Sequence, residues 1–339
     1  MSEQKGFGTN PVSVKFEAVG EGLHKSEKKR LDLIRTFPIR KKIQHQDDLV
    51  TIYFDKVFEM QPGQFVLLWI PGIDEKPYSA AVVNALEAHF SSISKSDAAS
   101  GKNTSTTTVS ALGTTSAKSI SISGDPTPEY LEISIKAVGP FSAALVQKRE
   151  GDYIGIRGPF GNGFTPKSHA LLIGGGMGVA PIRGLAQRMA RDKMTYFQAL
   201  GVKKPSDLIF PNEYASNSEC ILIAEETGFS HSGRVTDVVP SLLREKGIQH
   251  IFAAGPEGML LKVREIAREA NLPCQLSFER YMKCGVGLCG QCCLDGSGLR
   301  VCVEGPVLTE IEMSQTTELG KPHRVASGKR PGCSGSGTK

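Results

Sequence analysis

Several things are missing from this chain of 339 residues, and each absence narrows what it can be. No run of about 18 apolar residues occurs, so the sequence predicts no membrane span. The opening stretch, Met1 to Asn10, is polar and has no apolar signal-peptide core. Charge of one sign is scarce: the net charge is +5, and the basic residues are scattered in short groups such as Lys25 to Arg30 and Arg40 to Lys42. Such groups read as a solvated surface and not as a nucleic-acid stripe. Cysteines are not spread as a disulfide framework would spread them. Five of the eight lie within 284–302, which points to a cofactor nest and to a reducing, cytoplasmic compartment. Residues 1–30 lack sustained periodicity, apart from one expected early strand around Val12 to Phe16, and residues 91–128 have almost no large apolar side chains. Neither stretch holds enough apolar surface to order itself, so both are expected as mobile segments, a tail and an insertion.

The cysteine nest carries the strongest chemistry. Cys284, Cys289, Cys292 and Cys302 follow C-x4-C-x2-C-x9-C, the plant-type spacing for a [2Fe–2S] cluster. Gly285, Gly287 and Gly290 let the backbone curl and aim its N–H groups at sulfur. A structural zinc site is the alternative, but such sites usually pair two short Cys-x2-Cys knuckles and only one is present. Cys293 is a spare that could take one ligand role, with Cys292 favoured by the spacing. Cys333, alone in the last residues, reads as a plain surface thiol.

Upstream, short β-branched and aromatic stretches alternate with turns. Leu49 to Phe54 and Gln64 to Ile70, the latter after Gln61-Pro62-Gly63, are strands of a small antiparallel barrel. Lys76-Pro77-Tyr78-Ser79 sits among them. Leu131 to Val138, which includes Lys136, alternates as a half-buried strand and is followed by Gly139 and Ser142, which open a short helix. From Ala170 the texture becomes strand–helix repeats. Ala170 to Ile173 is a continuous apolar run, as in a buried parallel strand. Gly174, Gly175, Gly176 and Gly178 then lead into a helix from Ile182 to Arg191, suited either to tight packing or to close approach of a pyrophosphate. Further strands end at Gly201, at Glu225 and at Gly255-Pro256, with Met259 just beyond. These are the places where open α/β sheets bind ligands. Pro240 is expected to break or start a helix.

The barrel motifs resemble the ferredoxin-reductase superfamily, through Pro62 to Phe65 and Lys76 to Ser79. Barrel, nucleotide domain and C-terminal cluster, in that order, resemble its class 1B dihydroorotate dehydrogenase electron-transfer branch over about 31–310. Gly158 to Phe164, Gly174 to Pro181, Gly255 to Met259 and above all Glu279 to Cys284 carry that resemblance. It implies FAD held at Lys76, Pro77, Tyr78, Ser79, Lys136, Gly139 and Ser142. It also implies NAD held at Gly174, Gly175, Gly176, Gly178, Glu225, Gly255, Pro256 and Met259. The metal ligands would be Cys284, Cys289, Cys292 and Cys302. A separate FMN-containing catalytic subunit would hold the dihydroorotate site, together with this chain in a heterotetramer, and electrons would reach NAD through the cluster and FAD. The departures are Lys76 where the family usually has Arg, Pro140-Phe141 where a second small residue is common, the insertion and the long tails. The same modules also serve diaphorase subunits of sulfhydrogenase, sulfite reductase or transhydrogenase complexes, and a zinc-stabilised scaffold is the non-enzymatic alternative.

The expected organisation is a flexible tail over 1–30 and a flavin-binding barrel over 31–166 carrying the 91–128 insertion. A five-stranded parallel nucleotide-binding domain follows over 167–278, then a cluster module over 279–310 and a flexible tail over 311–339. Lys203 and Lys204 could accept a 2′-phosphate, whereas Glu225 and Glu226 would oppose one; the resemblance favours NAD, with the two lysines pointing to solvent. Replacing Cys284 or Cys302 by Ser should abolish the visible absorption of the cluster, and replacing Cys333 should not. Loss of absorption in Cys293→Ser with retention in Cys292→Ser would overturn the ligand assignment.

Overall fold

The computed structural model describes residues 33–56, 58–84, 129–214, 217 and 219–330. The expected strand at 12–16, the 1–30 tail, the 91–128 insertion and Cys333 lie outside these residues. Two four-stranded antiparallel sheets form the barrel. One contains β1 (Arg35–Pro38), β8 (Tyr153–Phe160), β4 (Phe65–Ile70) and β5 (Asp74–Ser79), in that order. The other contains β2 (Lys41–Gln46), β3 (Leu49–Asp55), β7 (Glu129–Lys136) and β6 (Ala81–Asn84). The short helix α1 (Pro140–Val146) packs Phe141, Leu145 and Val146 into the barrel core.

The period-2 geometry of a strand explains why β3 and β4 are apolar almost throughout. Val50, Ile52 and Phe54 of β3 face the barrel interior with Val66 and Leu68 of β4. The alternate residues turn the other way, since successive side chains point to opposite faces. Leu49 and Tyr53 pack with Ile182, Leu185 and Met189 of the α/β layer. Phe65 and Leu67 pack with Phe160 and with Met282, Cys292 and Cys302 of the cysteine-rich segment.

The α/β layer has β9 (Ala170–Gly175), α2 (Val179–Arg191), β10 (Tyr196–Val202), α3 (Pro211–Tyr214), β11 (Cys220–Ala224), β12 (His231–Ser232), α4 (Val235–Glu245), β13 (His250–Ala254), α5 (Glu257–Glu269) and β14 (Cys274–Ser277). β15 (Val307–Thr309) and α6 (Glu310–Ser314) follow the cysteine-rich segment. The sheet order is β12-β11-β10-β9-β13-β14-β15. Five central strands run parallel as expected, and two edges extend them: β12 parallel to β11, and β15 antiparallel to β14. Leu171 and Ile173 of β9 face α4 and α5, while Leu172 faces α2, so both faces of the sheet are covered, as parallel sheets require. Among the described residues no helix is long and apolar enough to cross a membrane.

Two expectations are corrected here. Pro240 neither breaks nor starts α4, which runs through it. Pro240 is exposed, while Val235, Val239 and Leu242 bury the opposite stripe; packing of that stripe outweighs the lost N–H. Nor does ordered structure end at Gly305–Val307, with everything from residue 311 a flexible tail. Leu308 and Met313 are fully buried, each worth about 1.5–3 kcal/mol. Beyond them Glu318, 4% exposed, takes ion pairs from Arg280 at 2.8 Å and Arg330 at 2.7 Å. A segment of polar texture is thus pinned by two apolar anchors and one buried carboxylate.

The barrel and α/β layer also meet through charge. Arg183 of α2 is 2% exposed and pairs with the buried Glu132 of β7 and, at 2.7 Å, with Glu213 of α3. Its guanidinium lies over the Phe210 ring at 4.1 Å. Burial, aided by Arg183, pushes the nearby His45 imidazole down to about 4. Arg183→Met should lower the unfolding free energy by about 3–5 kcal/mol, because it strands a buried carboxylate. A urea titration checks this; a loss below about 1 kcal/mol, as for an exposed pair, would contradict it.

Candidate electron-transfer site

The barrel end of the site is built on β5. It pairs with β4 in the register Leu68↔Lys76, Leu67↔Pro77, Val66↔Tyr78 and Phe65↔Ser79, which lays four of the seven expected flavin residues along one strand. Tyr78 is partly buried, its ring 6.2 Å from that of Phe141 on α1, and burial pushes its phenol up to about 12. That contact brings β5 and the Gly139–Ser142 turn to one place. Lys76 pairs with Asp74 at 2.5 Å and reaches the Tyr281 hydroxyl at 3.3 Å, its ammonium 5.1 Å from the Tyr281 ring centre. The lysine therefore ties the barrel to the Glu279–Cys284 run.

The Ser142 hydroxyl is committed within its own loop. It accepts from the Val138 N–H at 2.9 Å and the Gly139 N–H at 3.1 Å, and donates to the Gly139 carbonyl at 3.1 Å. One donor and two acceptor positions are then filled, so Ser142 shapes the turn. Space remains at Gly139, where an added Cβ would meet nothing within 4 Å. Lys136 pairs with Asp207, at 2.5 Å, in the turn after β10.

At the sheet's carboxyl edge the glycines divide by role. A Cβ on Gly178 would collide with the Ala254 carbonyl, and one on Gly174 would crowd Leu200 and Val179; there the small residue serves strand–helix packing. Met259 of α5 lies against both Gly175 and Gly255, filling the gap between the β9 and β13 ends beside Pro256. Gly176 differs, with φ +54° and nothing within 4 Å of a Cβ. Its backbone faces open space in a conformation that favours glycine, a cradle suited to a close-lying phosphate. Glu225 and Glu226 are exposed at the end of β11, and their N–H groups bond to the carbonyls of Val202 and Lys203. Lys203 and Lys204 are exposed, and Lys204 stands 3.8 Å from Glu226. Acid thus lies alongside the basic pair.

The cysteine loop is seated on the barrel. Gly285 has φ +74°, and a Cβ there would fall 2.6 Å from Leu67 of β4 and 3.4 Å from Phe160 of β8. Cys292 and Cys302 are buried, Cys284 is partly covered and Cys289 is exposed. The thiols meet two by two: Cys284 with Cys289, and Cys292 with Cys302, while the charge of Cys284 also acts on Cys302. Burial raises the Cys284 thiol, but N–H groups of Cys289, Val286 and Leu288 outweigh it and bring it to about 7; the Leu288 and Cys289 contacts are 3.3 and 3.4 Å. The Cys302 thiol, with its N–H at 3.4 Å, holds Cys292 near 6. Backbone N–H groups aimed at the Cys284 and Cys292 sulfurs favour their thiolates, the form that ligates metal, while Cys292 and burial push the Cys302 thiol up; two adjoining pairs of thiols are a donor set that fits an iron–sulfur cluster. Cys293 has its thiol pushed up, by burial and by Cys292.

Several contacts of this region were not foreseen. Arg280, 8% exposed, pairs with Glu257 at 2.7 Å at the start of α5, and His323 reaches the same carboxylate at 2.6 Å. Burial pushes the Glu279 carboxyl up. Arg157 of β8 binds Glu75 and the cysteine loop. Glu257, Glu279 and Arg280 lie within the runs Gly255–Met259 and Glu279–Cys284, but nothing local assigns their partners, because each pair joins segments far apart in sequence.

Residues 279–313 match the family model described as the iron–sulfur cluster binding domain of dihydroorotate dehydrogenase B. A protein of Methanocaldococcus jannaschii, named a probable dihydroorotate dehydrogenase B (NAD(+)) electron transfer subunit, is 34% identical over 86% of this chain and 96% of its own. One of the same name from Pyrococcus horikoshii is 32% identical over 90% of this chain and 98% of its own. Among solved structures, an NADH-dependent reduced ferredoxin-NADP oxidoreductase superposes with a TM-score of 0.63 at 24% identity, covering 84% of this chain and 91% of that one; this likeness shows the shared barrel and nucleotide-domain fold. With identity above 30% over nearly the full length of these relatives, the chain belongs to the family of dihydroorotate dehydrogenase B electron-transfer subunits.

Proposed function

We propose that this oxidoreductase subunit carries electrons from dihydroorotate oxidation on an FMN-containing partner to NAD+, using a [2Fe–2S] cluster and FAD of its own, in the cytoplasm and within a heterotetramer. The observation that carries the reading is the seat of the cysteine loop on β4 and β8, directly beside β5. Bound flavin supplies the conversion between hydride pairs and single electrons. This chain's residues supply position. Cys284, Cys289, Cys292 and Cys302 would hold the cluster. Pro77, Tyr78 and Ser79, with the open backbone at Gly139, would hold FAD, the tyrosine offering an aromatic face. Ser142 would set the shape of that turn, and Lys76 and Lys136 would brace the barrel against its neighbours. Gly176 would face the NAD pyrophosphate, Gly174, Gly175, Gly178, Gly255, Pro256 and Met259 would shape the cleft, and Glu225 would stand near the adenosine ribose.

In the complex with its partner, anaerobic dihydroorotate should bleach the visible absorption of this chain. Copurification with a different oxidoreductase and no bleaching would sink the partner assignment. Acid release should yield FAD from this chain; recovery of FMN alone would count against the Gly139 turn as a pyrophosphate site.

Glu225 and Glu226 beside Lys203 and Lys204 leave no net positive charge for a 2′-phosphate. A difference of ~1.4 kcal/mol already gives a tenfold preference, so diaphorase assays should show kcat/KM for NADH at least about tenfold above that for NADPH. A higher value for NADPH, reversed by Lys203→Glu, would show that the basic pair reads the phosphate.

A further inference from the structure

Arg157 is on β8 immediately before Gly158-Pro159 and belongs to none of the flavin, nucleotide or cysteine motifs. Its side chain is 11% exposed. Nε donates to Glu75 Oε1 at 2.6 Å and Nη2 to Glu75 Oε2 at 2.7 Å, a two-pronged grip on one carboxylate. Nη1 donates to the carbonyl of Cys284 at 2.7 Å, and Nη2 also reaches the carbonyl of Lys283 at 3.5 Å. The guanidinium lies 5.4 Å from the ring centre of Phe160, the same ring on which Gly285 is seated. Glu75 immediately precedes Lys76 on β5. One planar cation therefore joins the strand of the flavin motif to the first cysteine of the loop. Arginine suits this place because its fork can satisfy a carboxylate and a carbonyl together, which a lysine ammonium cannot do in one plane.

We infer that Arg157 is a positioning residue that fixes the cysteine loop against the barrel and, with Glu75, sets the reduction potential of the cluster. This inference rests on the proposed cluster at Cys284–Cys302. The pair is oriented: the guanidinium lies between the Glu75 carboxylate and the Cys284 carbonyl, so its positive end faces the loop. Reduction places one further electron on the cluster. A cation close by favours that added charge and an anion opposes it, and partial burial weakens the screening. The two partners thus act with opposite sign. Arg157→Gln leaves a negative charge at the site and lowers the potential. Glu75→Gln leaves a positive charge and raises it. A bracket with no electrostatic role would shift both variants the same way or not at all.

The test is a redox titration of the full chain with its bound cofactors, at about pH 8 so that a lone carboxylate stays ionised, following the paramagnetic signal of the reduced cluster. The expected result is a lower midpoint in Arg157→Gln, a higher one in Glu75→Gln, and an intermediate one in the double variant. Arg157→Lys, which keeps the charge without the fork, should stay nearer the parent midpoint than Arg157→Gln while broadening the signal. Shifts of the same sign in Arg157→Gln and Glu75→Gln, or no shift in either, would overturn the inference. Should Arg157→Gln fail to hold a cluster, the sign of the Glu75→Gln shift decides alone. A parent protein giving no paramagnetic iron signal on reduction sinks the cluster reading and this inference with it; a normal parent signal with unmoved variants sinks the inference only.

Discussion

Strand β4 is buried on both faces, and the arrangement of the protein depends on that constraint. Val66 and Leu68 fill the barrel, while Phe65 and Leu67 lie in the core that also holds Met282, Cys292 and Cys302. A strand in an isolated antiparallel barrel would show water to its outer face. Here the outer face is the floor on which Gly285 sits, 2.6 Å from Leu67 as measured to the position of a Cβ. The barrel, the cysteine loop and the α/β layer consequently share apolar surface, and the loop has one seat instead of a range of positions. Electron transfer needs such a fixed geometry, since the residues around each redox group must hold their spacing through every turnover.

Charge reinforces the same junctions. Arg183 with Glu132 and Glu213, and Lys136 with Asp207, join barrel to α/β layer; Arg157 with Glu75 joins barrel to cysteine loop; Arg280 with Glu257 and Glu318 joins α5 to the segment after the loop. Buried pairs contribute little net stability against a well-packed apolar alternative, because desolvation offsets their attraction. Their geometric demand is another matter. An apolar contact tolerates sliding, whereas a two-pronged arginine–carboxylate pair is satisfied in one register. Two of these four pairings, Arg183 on Glu213 and Arg157 on Glu75, use arginine in that way, while Arg280 spans two carboxylates with one contact to each.

The residues that carry chemistry divide into those that face a ligand space and those that build it. Gly176 and Gly139 present backbone to open space, and the four cysteines pair their sulfurs, with backbone N–H groups aimed at Cys284 and Cys292. Ser142, Lys76, Lys136, Gly178 and Met259 lie in or beside the motifs but spend their contacts on the frame. A motif marks a place where chemistry and packing are both exacting, and its residue types alone do not separate the two.

Local pattern by itself determined a good deal here. The cysteine spacing picks out the proposed ligand set, because four thiolates on two irons require short, glycine-curled separations that few other sites share. The alternating and continuous apolar runs determined barrel strands and parallel strands, because side-chain direction follows backbone period. What tertiary structure alone decided is partnership across distance. Glu75 and Arg157 are separated in sequence, as are Arg183 and Glu132, and nothing local tells an arginine which carboxylate it will meet. The order of the residues after Gly305 was hidden for the same reason: Leu308, Met313 and Glu318 look like scattered members of a polar tail until β14 supplies an edge, α5 a wall and Arg280 a charge. Pro240 and the double-faced burial of β4 belong with them, since the free energy that holds each comes from elements remote in the chain.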